Sequence, residues 1–485
     1  MSDFASTSGQ LPIARPTALA EFGRKRTRTR LLYTILIVLV VIRLFTETFP
    51  IFPRFVNFGD LVLLPVAVWA LLKNGWRLEW YRLWQGSLRK PVWLFGLWTA
   101  LSSMVNLVLY GIHLIPAVAF LAFHLEPLLF AAAFMALGWS RRETKAFCRA
   151  LIFLGVLQLP VALIELPVAL READPDLVSG TFGTNGSQMC FFLVLVMGYI
   201  LGRYLMDKRK RWVLLLVPLL VLFYAQGFKA MWFAFPIDIG IVLVLVVPGS
   251  FKRRVALLSV VLVSVVLLAL PLAKRTSSTT MLYAKPAYIM SFVKSPYLWR
   301  LGKIQSFGDI WRLYKQAPLA PLLGVGPGSY SSRAFQTFAE PGPEAINPNN
   351  VTAAYITPIP PGHFARKFVV PLTYRSVAAF GSTTIDGPFS SYVSLLAEVG
   401  LVGFFIYLLI YYRTYKEVLA VLKRAWAERD SELAGLCLAA ILGILSLFEM
   451  AFLDNWFEVS RVTVLMWLLI VAATLQSGKT KGVRV

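Results

Sequence analysis

The sequence predicts an all-α polytopic membrane protein with about twelve transmembrane helices, both termini inside, and a large external loop that contains helices. Three observations lead to this fold class. Hydrophobic residues make up 58% of the 485 residues and charged residues only 15%, which excludes a string of soluble domains. Apolar runs long enough to cross a bilayer recur along the chain. Basic residues concentrate in every second connection between those runs.

The apolar runs set the number of spans. A hydrocarbon core about 30 Å thick requires about 20 apolar residues per helix. Runs of this kind predict spans near residues 31–45, 58–72, 91–111, 116–138, 146–166, 188–206, 211–227, 229–248, 254–273, 388–412, 433–453 and 459–476.

The distribution of Lys and Arg sets the orientation, because short basic connections stay on the cytoplasmic side. Basic residues crowd the N-terminal tail and the alternate connections 73–90, 141–149, 203–211, 252–254 and 413–429. Most of the net charge of +23 is therefore a topology signal, and nucleic-acid binding is not expected. The predicted organisation is a basic tail (1–30), spans one to nine (31–273), an external loop (274–387), spans ten to twelve (388–476) and a second inner tail (477–485).

The external loop is the functional part of this prediction, because connections of that length in a compact protein are usually functional. Its 114 residues hold twelve basic and four acidic side chains. An exported cationic loop indicates an anionic partner outside. Within it, aromatic residues around Trp311 recur at helical spacing among basic residues. That pattern fits either a helix on the membrane surface or a helix packed on the spans.

Neither the cysteines nor the histidines indicate a metal site. Cys148, Cys190 and Cys437 lie far apart in or beside apolar segments, which excludes a disulfide framework and a cysteine-ligated metal. The three histidines are equally dispersed and show no metal-ligand spacing. No metal and no cofactor are expected.

One cation in the spans is hard to explain structurally. Lys229 begins the eighth predicted span, at the positive end of a helix dipole, where anions are favoured and cations are not. Lys229 is therefore expected beside a bound anion. Lys274 and Arg275 lie where the loop leaves the ninth span, and the three are expected to share that anion.

Several short motifs resemble one family. Gly324-Val-Gly-Pro-Gly-Ser-Tyr330 follows the aromatic segment of the loop, and Phe389-Ser390 followed by Gly400-Leu-Val-Gly403 is similar to a ligase signature of His-Asn/Ser/Gln, nine residues and Gly-x-x-Gly. Leu395, Leu396 and Glu398 match an L-x-E-x-G-L stretch. Three further stretches fit the same pattern, namely 57–61, 180–185 and 228–230. In order and spacing they resemble the O-antigen ligase and Wzy-type polysaccharide polymerase superfamily, which is GT-C-like and depends on a lipid carrier.

The resemblance implies a glycosyltransferase facing the periplasm in a bacterial inner membrane. Its donor would be a glycan on undecaprenyl pyrophosphate, and it would need no metal because cationic side chains hold the pyrophosphate. Membrane lipid, a chain-length regulator and a flippase would be further partners. Two positions depart from the family, since the ligase histidine is Phe389 and the helix-start arginine is Lys229. The missing histidine favours a polymerase over a ligase, and a small-anion or bicarbonate transporter is the third interpretation.

The resulting site prediction has a proton acceptor and a set of substrate contacts. Asp386, three residues before Phe389, is the expected base, with Glu398 and His363 as further candidates. The expected contacts to pyrophosphate and glycan are Lys229, Lys274, Arg275, Arg300, Arg333, Arg375, Gly326 and Gly328. Asp386 also suits a helix cap before Pro388, and both roles stay open.

Overall fold

The computed structural model is mainly helical in the residues it describes. These are 34–41 except 36, 59–172, 177–183, 185–226, 229–245, 255, 259, 302–338, 359–380 and 388–479. The model is 88% helical, and its described part contains no β-strand. The predicted all-α class is confirmed.

Fourteen helices are numbered here in chain order. They are α1 (Gly59–Asn74), α2 (Arg89–Tyr110), α3 (Leu114–Leu137), α4 (Arg141–Glu172), α5 (Gly186–Asp207), α6 (Lys210–Ala225), α7 (Lys229–Leu245), α8 (Gly302–Gln316), α9 (Ala320–Leu323), α10 (Arg333–Phe338), α11 (Val370–Phe380), α12 (Ser391–Ala427), α13 (Ser431–Leu453) and α14 (Ser460–Lys479). Short 3-10 turns cover Gly75–Trp80, Gly180–Phe182 and Trp456–Glu458, and π-helical turns cover Leu83–Leu88 and Ala365–Val369.

Six described helices are long and apolar enough to cross a membrane. They comprise Leu83–Tyr110, Leu114–Leu137, Arg141–Ala169, Gly186–Asp207, Ser391–Ala427 and Ser431–Leu453. Helices α1, α6, α7 and α14 coincide with four further predicted spans but have shorter apolar stretches. The predicted span 254–273 lies outside the described residues apart from 255 and 259. The twelve-span count and the orientation stay predictions.

The centre of the bundle is the contact between α5 and α13. In each of the two helices, 72% of the most apolar 18-residue stretch is buried. Small residues allow this close approach, because a Cβ added to Gly202 would lie 2.6 Å from the Cα of Gly435, and one on Gly198 would lie 2.9 Å from the Cα of Ala439. Small residues four apart on facing helices are the usual way for membrane helices to bring their backbones together.

Helix α12 is broken at Gly400, which has φ +69° inside an otherwise continuous helix. The short helix α9 and the residues after it fill the space beside this break. Ser102 of α2 donates to the carbonyl of Leu323 (2.6 Å), eight residues before the end of α2. The α9 end therefore lies about 12 Å along α2 from its C-terminus. Part of the predicted external loop thus descends between the spans.

The aromatic helix of the loop, α8, packs on the rest of the protein. Its Ile310 and Leu313 are buried in a cluster that includes Tyr330, Phe335 and Phe389. Of the two placements that the sequence allowed, the described structure therefore has the packed one. Among the aromatic side chains of α8, that of Trp311 points away from this cluster, with 64% of its surface exposed.

The α5–α13 contact predicts a specific effect of adding one methyl group. Gly202→Ala places a Cβ against the backbone of α13, so we expect a loss of about 1–3 kcal/mol of stability from overpacking. Gly96→Ala is the control, because its added Cβ meets nothing within 4 Å. The thermal midpoint in detergent should fall for Gly202→Ala and hold or rise for Gly96→Ala; equal midpoints would contradict this packing.

Candidate functional site

The carboxylate of Glu398 is fully buried and bound by backbone amides. Its Oε1 accepts hydrogen bonds from the backbone N–H groups of Tyr330 (3.1 Å), Ser331 (2.8 Å) and Ser332 (2.8 Å). Its Oε2 accepts from the N–H of Gly328. Four donors thus converge on one carboxylate, which fixes the conformation of residues 324–332, called here the glycine loop.

The same loop also provides hydrogen-bond donors for carbonyl groups at the break in α12. A helix that is interrupted leaves the carbonyls before the break without their intrahelical donors. Here the four carbonyls before Gly400 accept from groups outside the helix: Leu396 from Tyr314 Oη (2.9 Å), Ala397 from Val325 N (2.7 Å), Glu398 from Gly326 N (3.2 Å) and Val399 from Trp98 Nε1 (3.0 Å). The two motifs of the resemblance, seventy residues apart, are therefore bound to each other.

Two of the glycines predicted to contact substrate contact protein instead. A Cβ on Gly328, which has φ +70°, would lie 2.3 Å from the carbonyl oxygen of Pro116 in α3. A Cβ on Gly326 would lie 2.7 Å from Ile112. Within the described residues, both glycines permit close packing of the loop on α3 and the turn before it.

A second buried carboxylate, that of Glu458, lies next to the first. Its Oε2 accepts from the backbone N–H of Arg333 (2.8 Å), at the start of α10. Burial raises the pKa of Glu458 well above its ordinary value, and the negative charge of Glu398 raises it further, whereas Arg333 lowers it. Asn455 lies in the same region, where its side-chain Nδ2 donates a hydrogen bond to the backbone carbonyl of Ser331 (2.7 Å).

Phe389, at the position of the ligase histidine, is a core residue. Its side chain is buried in the cluster of Ile310, Leu313 and Phe335. Its carbonyl accepts from Lys303 Nζ (3.4 Å), which also donates to the carbonyl of Leu453 at the end of α13. Lys303 therefore ties the starts of α8 and α12 to the end of α13, and no side-chain proton chemistry is available at position 389.

A cationic face lies on α8 and on the segment formed by Ala365–Val369 and α11. Two hydrogen bonds join these elements in antiparallel order, from Lys367 to Gln316 (2.9 Å) and from Arg375 to Gln305 (3.1 Å). The cationic face comprises the exposed side chains of Arg312, Lys315, Arg366, Lys367 and Arg375.

The charge of this face is poorly compensated. Among the residues described on these elements, the acidic one is Asp309, which is buried and pairs with Arg312 (3.1 Å). Burial raises the pKa of Asp309, although Arg312 and Arg375 act to lower it. The exposed rings of Trp311 and Tyr374 stand on the same elements, and Lys315 Nζ lies 5.7 Å from the Trp311 ring. Cations with exposed aromatic rings suit a ligand that carries both phosphate and sugar.

The predicted site residues are only partly brought together. Arg375 belongs to the cationic face, and the backbone of Arg333 binds Glu458. His363 is exposed, and its neighbour Gly362 lies against the glycine loop at Ser329. Lys229 begins α7, but its side chain is outside the described part. Asp386, Lys274, Arg275 and Arg300 lie outside the described residues.

Other members of the site could not be singled out from the sequence. Arg312 and Lys315 were indicated only as basic residues of the aromatic helix, and Arg366 and Lys367 only as part of the loop's basic excess. Glu458 had a weak signal, as an acidic residue at the start of an apolar run with Ser460 and Arg461 after it. Its partner Arg333 is 125 residues away, and no local pattern reports such a contact.

Residues 180–183 form a structural turn. The backbone N–H groups of Ser179 and Gly180 donate to Glu165 Oε2 (2.9 and 2.8 Å), and Thr181 N donates to Gln158 Oε1 (2.8 Å). Asn185 then caps the N-terminus of α5. This motif therefore fixes the entry into the central helix.

Comparisons with known proteins do not identify the chain. No protein-family model matches it, and no curated protein does. Among the described residues, no group of three or more His, Cys, Asp or Glu side chains could hold a metal ion.

The break in α12 predicts a second glycine effect. An alanine Cβ at position 400 would lie 2.3 Å from the carbonyl oxygen of Leu322, at φ +69°. Overlap costs about 1–3 kcal/mol and a left-handed non-glycine residue about 1–2 kcal/mol. We expect Gly400→Ala to lower the thermal midpoint and the yield of folded protein in detergent.

Gly308→Ala on α8 is the matched control, because its Cβ meets nothing within 4 Å. If the two variants were equally stable, the glycine loop would not be seated against α12 as described.

Proposed function

We propose that this protein is a membrane glycosyltransferase that polymerises oligosaccharide repeat units carried on undecaprenyl pyrophosphate, at the outer face of a bacterial inner membrane. The cationic face is the single observation that carries the proposal. Five exposed cations and two exposed aromatic rings lie on two elements of the loop, with one buried acid between them. The substrate class that matches this surface is a sugar chain with a pyrophosphate.

The leaving group of the reaction is the lipid pyrophosphate. Fixed cations stabilise the charge that develops on it as the glycosidic bond breaks, which is the role a metal ion fills in other enzymes. Arg375 and Lys367 are suited to this role because hydrogen bonds to Gln305 and Gln316 already hold their side chains. Loss of one well-placed donor of this kind costs about 3–4 kcal/mol, or roughly 100- to 1000-fold in rate.

Exposed apolar side chains provide a contact surface for the lipid part of the substrate. Leu319 and Leu322 at α9 are exposed, and so are Leu401 and Phe405 just after the break in α12. The carbonyl of Leu322 lies against Gly400, so the apolar residues of α9 and α12 are neighbours. An exposed apolar surface beside a cationic one fits a polyprenyl chain with a charged head group.

The polymerase is favoured over a ligase by the environment of position 389. Phe389 is buried among apolar side chains, so the group that a ligase uses there is absent. Asp386, as the proposed base, lies outside the described residues. Glu398 is less suited to the role than its place in the motif indicates, because four backbone amides occupy its oxygens.

The test is a deletion strain complemented with charge variants. Deletion should cause single lipid-linked repeats to accumulate, and the wild-type gene should restore polymer. Replacing both Arg375 and Lys367 by Gln should reduce polymer by at least 100-fold, because the pyrophosphate loses two cations. The readouts are the chain-length distribution and the pool of lipid-linked repeats.

Lys423→Gln is the matched control, since it removes an exposed cation from α12 far from the cationic face. Accumulation of unattached polymer in the deletion strain would indicate a ligase. If neither species accumulated, the protein would not act on lipid-linked glycans. If the double variant made wild-type amounts of polymer, the cationic face would not be the pyrophosphate site.

A further inference from the structure

Three buried oxygen atoms near Glu458 lack hydrogen-bond partners. They are Ser331 Oγ, Asn455 Oδ1 and Glu458 Oε1, and none has a partner in the described structure. The three residues are 0%, 3% and 1% exposed. A buried polar group without a partner costs about 1–3 kcal/mol, so a ligand that satisfies these three atoms would be bound more tightly.

These atoms belong to one connected cluster. Asn455 Nδ2 donates to the carbonyl of Ser331 (2.7 Å), and the N–H of Glu458 donates to the carbonyl of Asn455 (3.2 Å). Glu458 Oε2 is held by the N–H of Arg333 (2.8 Å), which leaves Oε1 as its unoccupied oxygen. The bonds to Asn455 Nδ2 and Glu458 Oε2 therefore orient the other oxygen of each of these two groups.

The chemistry of the cluster selects its ligand. A carboxylate oxygen and an amide oxygen can only accept hydrogen bonds while the carboxylate is ionised, and a serine hydroxyl can accept or donate. An anion is disfavoured because it would lie beside two carboxyl groups, those of Glu458 and Glu398. The ligand must therefore donate two hydrogen bonds and accept one. Two neighbouring hydroxyl groups of a sugar meet this need, because one can donate to Glu458 Oε1 while accepting from Ser331 Oγ and the other can donate to Asn455 Oδ1.

We propose that Ser331 and Glu458 bind the acceptor hydroxyl of the saccharide, that Asn455 binds a neighbouring hydroxyl of the same sugar, and that Oε1 of Glu458 takes the proton of the acceptor hydroxyl. This inference rests on the proposed function and adds the acceptor side of the same reaction. It gives the role of base to a residue of the described structure in place of Asp386, Glu398 or His363.

The step balances as a substitution at the anomeric carbon. The acceptor oxygen forms a bond to that carbon, and the bond from the carbon to the pyrophosphate oxygen breaks. The electron pair of the broken bond stays on the pyrophosphate, where the cationic face stabilises it. The hydroxyl proton moves to Glu458 and then leaves to solvent.

The surroundings of Glu458 suit a base. Two charged groups act on it, Glu398 from α12 and Arg333 from α10, and together with burial they leave its pKa well above the ordinary value. A base with a raised pKa binds a proton more strongly than an ordinary carboxylate, and proton transfer to a placed base contributes about 100- to 10,000-fold in rate. Glu398 differs because both of its oxygens are occupied by amides.

The experiment measures polymerisation by purified full-length protein on lipid-linked repeats across a range of pH. Glu458→Gln keeps an oxygen for the N–H of Arg333 but cannot take a proton. We expect kcat to fall at least 100-fold, with KM for the lipid-linked donor and the thermal midpoint near wild type. The rise of the wild-type rate with pH, which reports ionisation of Glu458, should be absent from the residual activity.

Glu172→Gln is the matched control, because Glu172 is exposed at the end of α4. An unchanged kcat in Glu458→Gln overturns the inference, and so does a reduced rate that keeps the wild-type pH profile, since the cluster would then hold only a structural water. If Glu458→Gln does not fold, Glu458→Asp replaces it. That variant should keep the pH-dependent rise at a lower rate, and a wild-type rate overturns the inference.

Failure of the inference and failure of the proposed function are distinguishable. Wild-type protein that makes no polymer from lipid-linked repeats contradicts the function itself. Wild-type polymer with a fully active Glu458→Gln variant contradicts only the assignment of the base.

Discussion

The binding of the Glu398 carboxylate to the amides of the glycine loop is the interaction on which the rest of the arrangement depends. A broken helix and an irregular loop are both costly between membrane helices, because no water is present to satisfy their polar groups. Here the broken helix and the loop form hydrogen bonds to each other's polar groups. The carboxylate binds four loop amides. The carbonyls freed at Gly400 accept from two further loop amides and from the side chains of Tyr314 and Trp98.

This mutual satisfaction fixes the rest of the site. The glycine loop leads directly into Ser331 and Arg333, so Glu398 also sets the position of the segment that contacts Asn455 and Glu458. On the other side, α8 packs on Val325, Tyr330 and Phe389. Helix α8, which carries part of the cationic face, is therefore held in place by contacts between its buried side and the glycine loop. A site of the proposed kind, which would align a pyrophosphate and an acceptor, needs such rigid support.

The sequence predicts the helices well and the site only in part. Long apolar runs such as α5 and α13 are local signals, and the described helices lie where those runs predict them. The pairing of Glu398 with Gly328 spans seventy residues, and no periodicity reports it. The sequence therefore indicated Glu398, Gly326 and Gly328 as residues of interest but not that they bind one another. Glu458 escaped notice for the same reason. Arg375, which lies on the cationic face, was indicated because a basic residue in a long loop is itself a signal, and its contact with substrate stays a prediction.

The most direct test of this account is amide hydrogen exchange of residues 328–332 in the detergent-solubilised protein. The amides of Gly328, Tyr330, Ser331 and Ser332 lie outside the regular helices and donate to the Glu398 carboxylate, which explains slow exchange at these four positions. The Ser329 amide donates to the carbonyl of Gly326 and is not part of the test. We predict protection of the wild-type amides close to that of α13, and loss of that protection in Glu398→Gln while α13 stays protected. Exchange of the wild-type amides as fast as in the exposed turn at residue 111 would contradict the account.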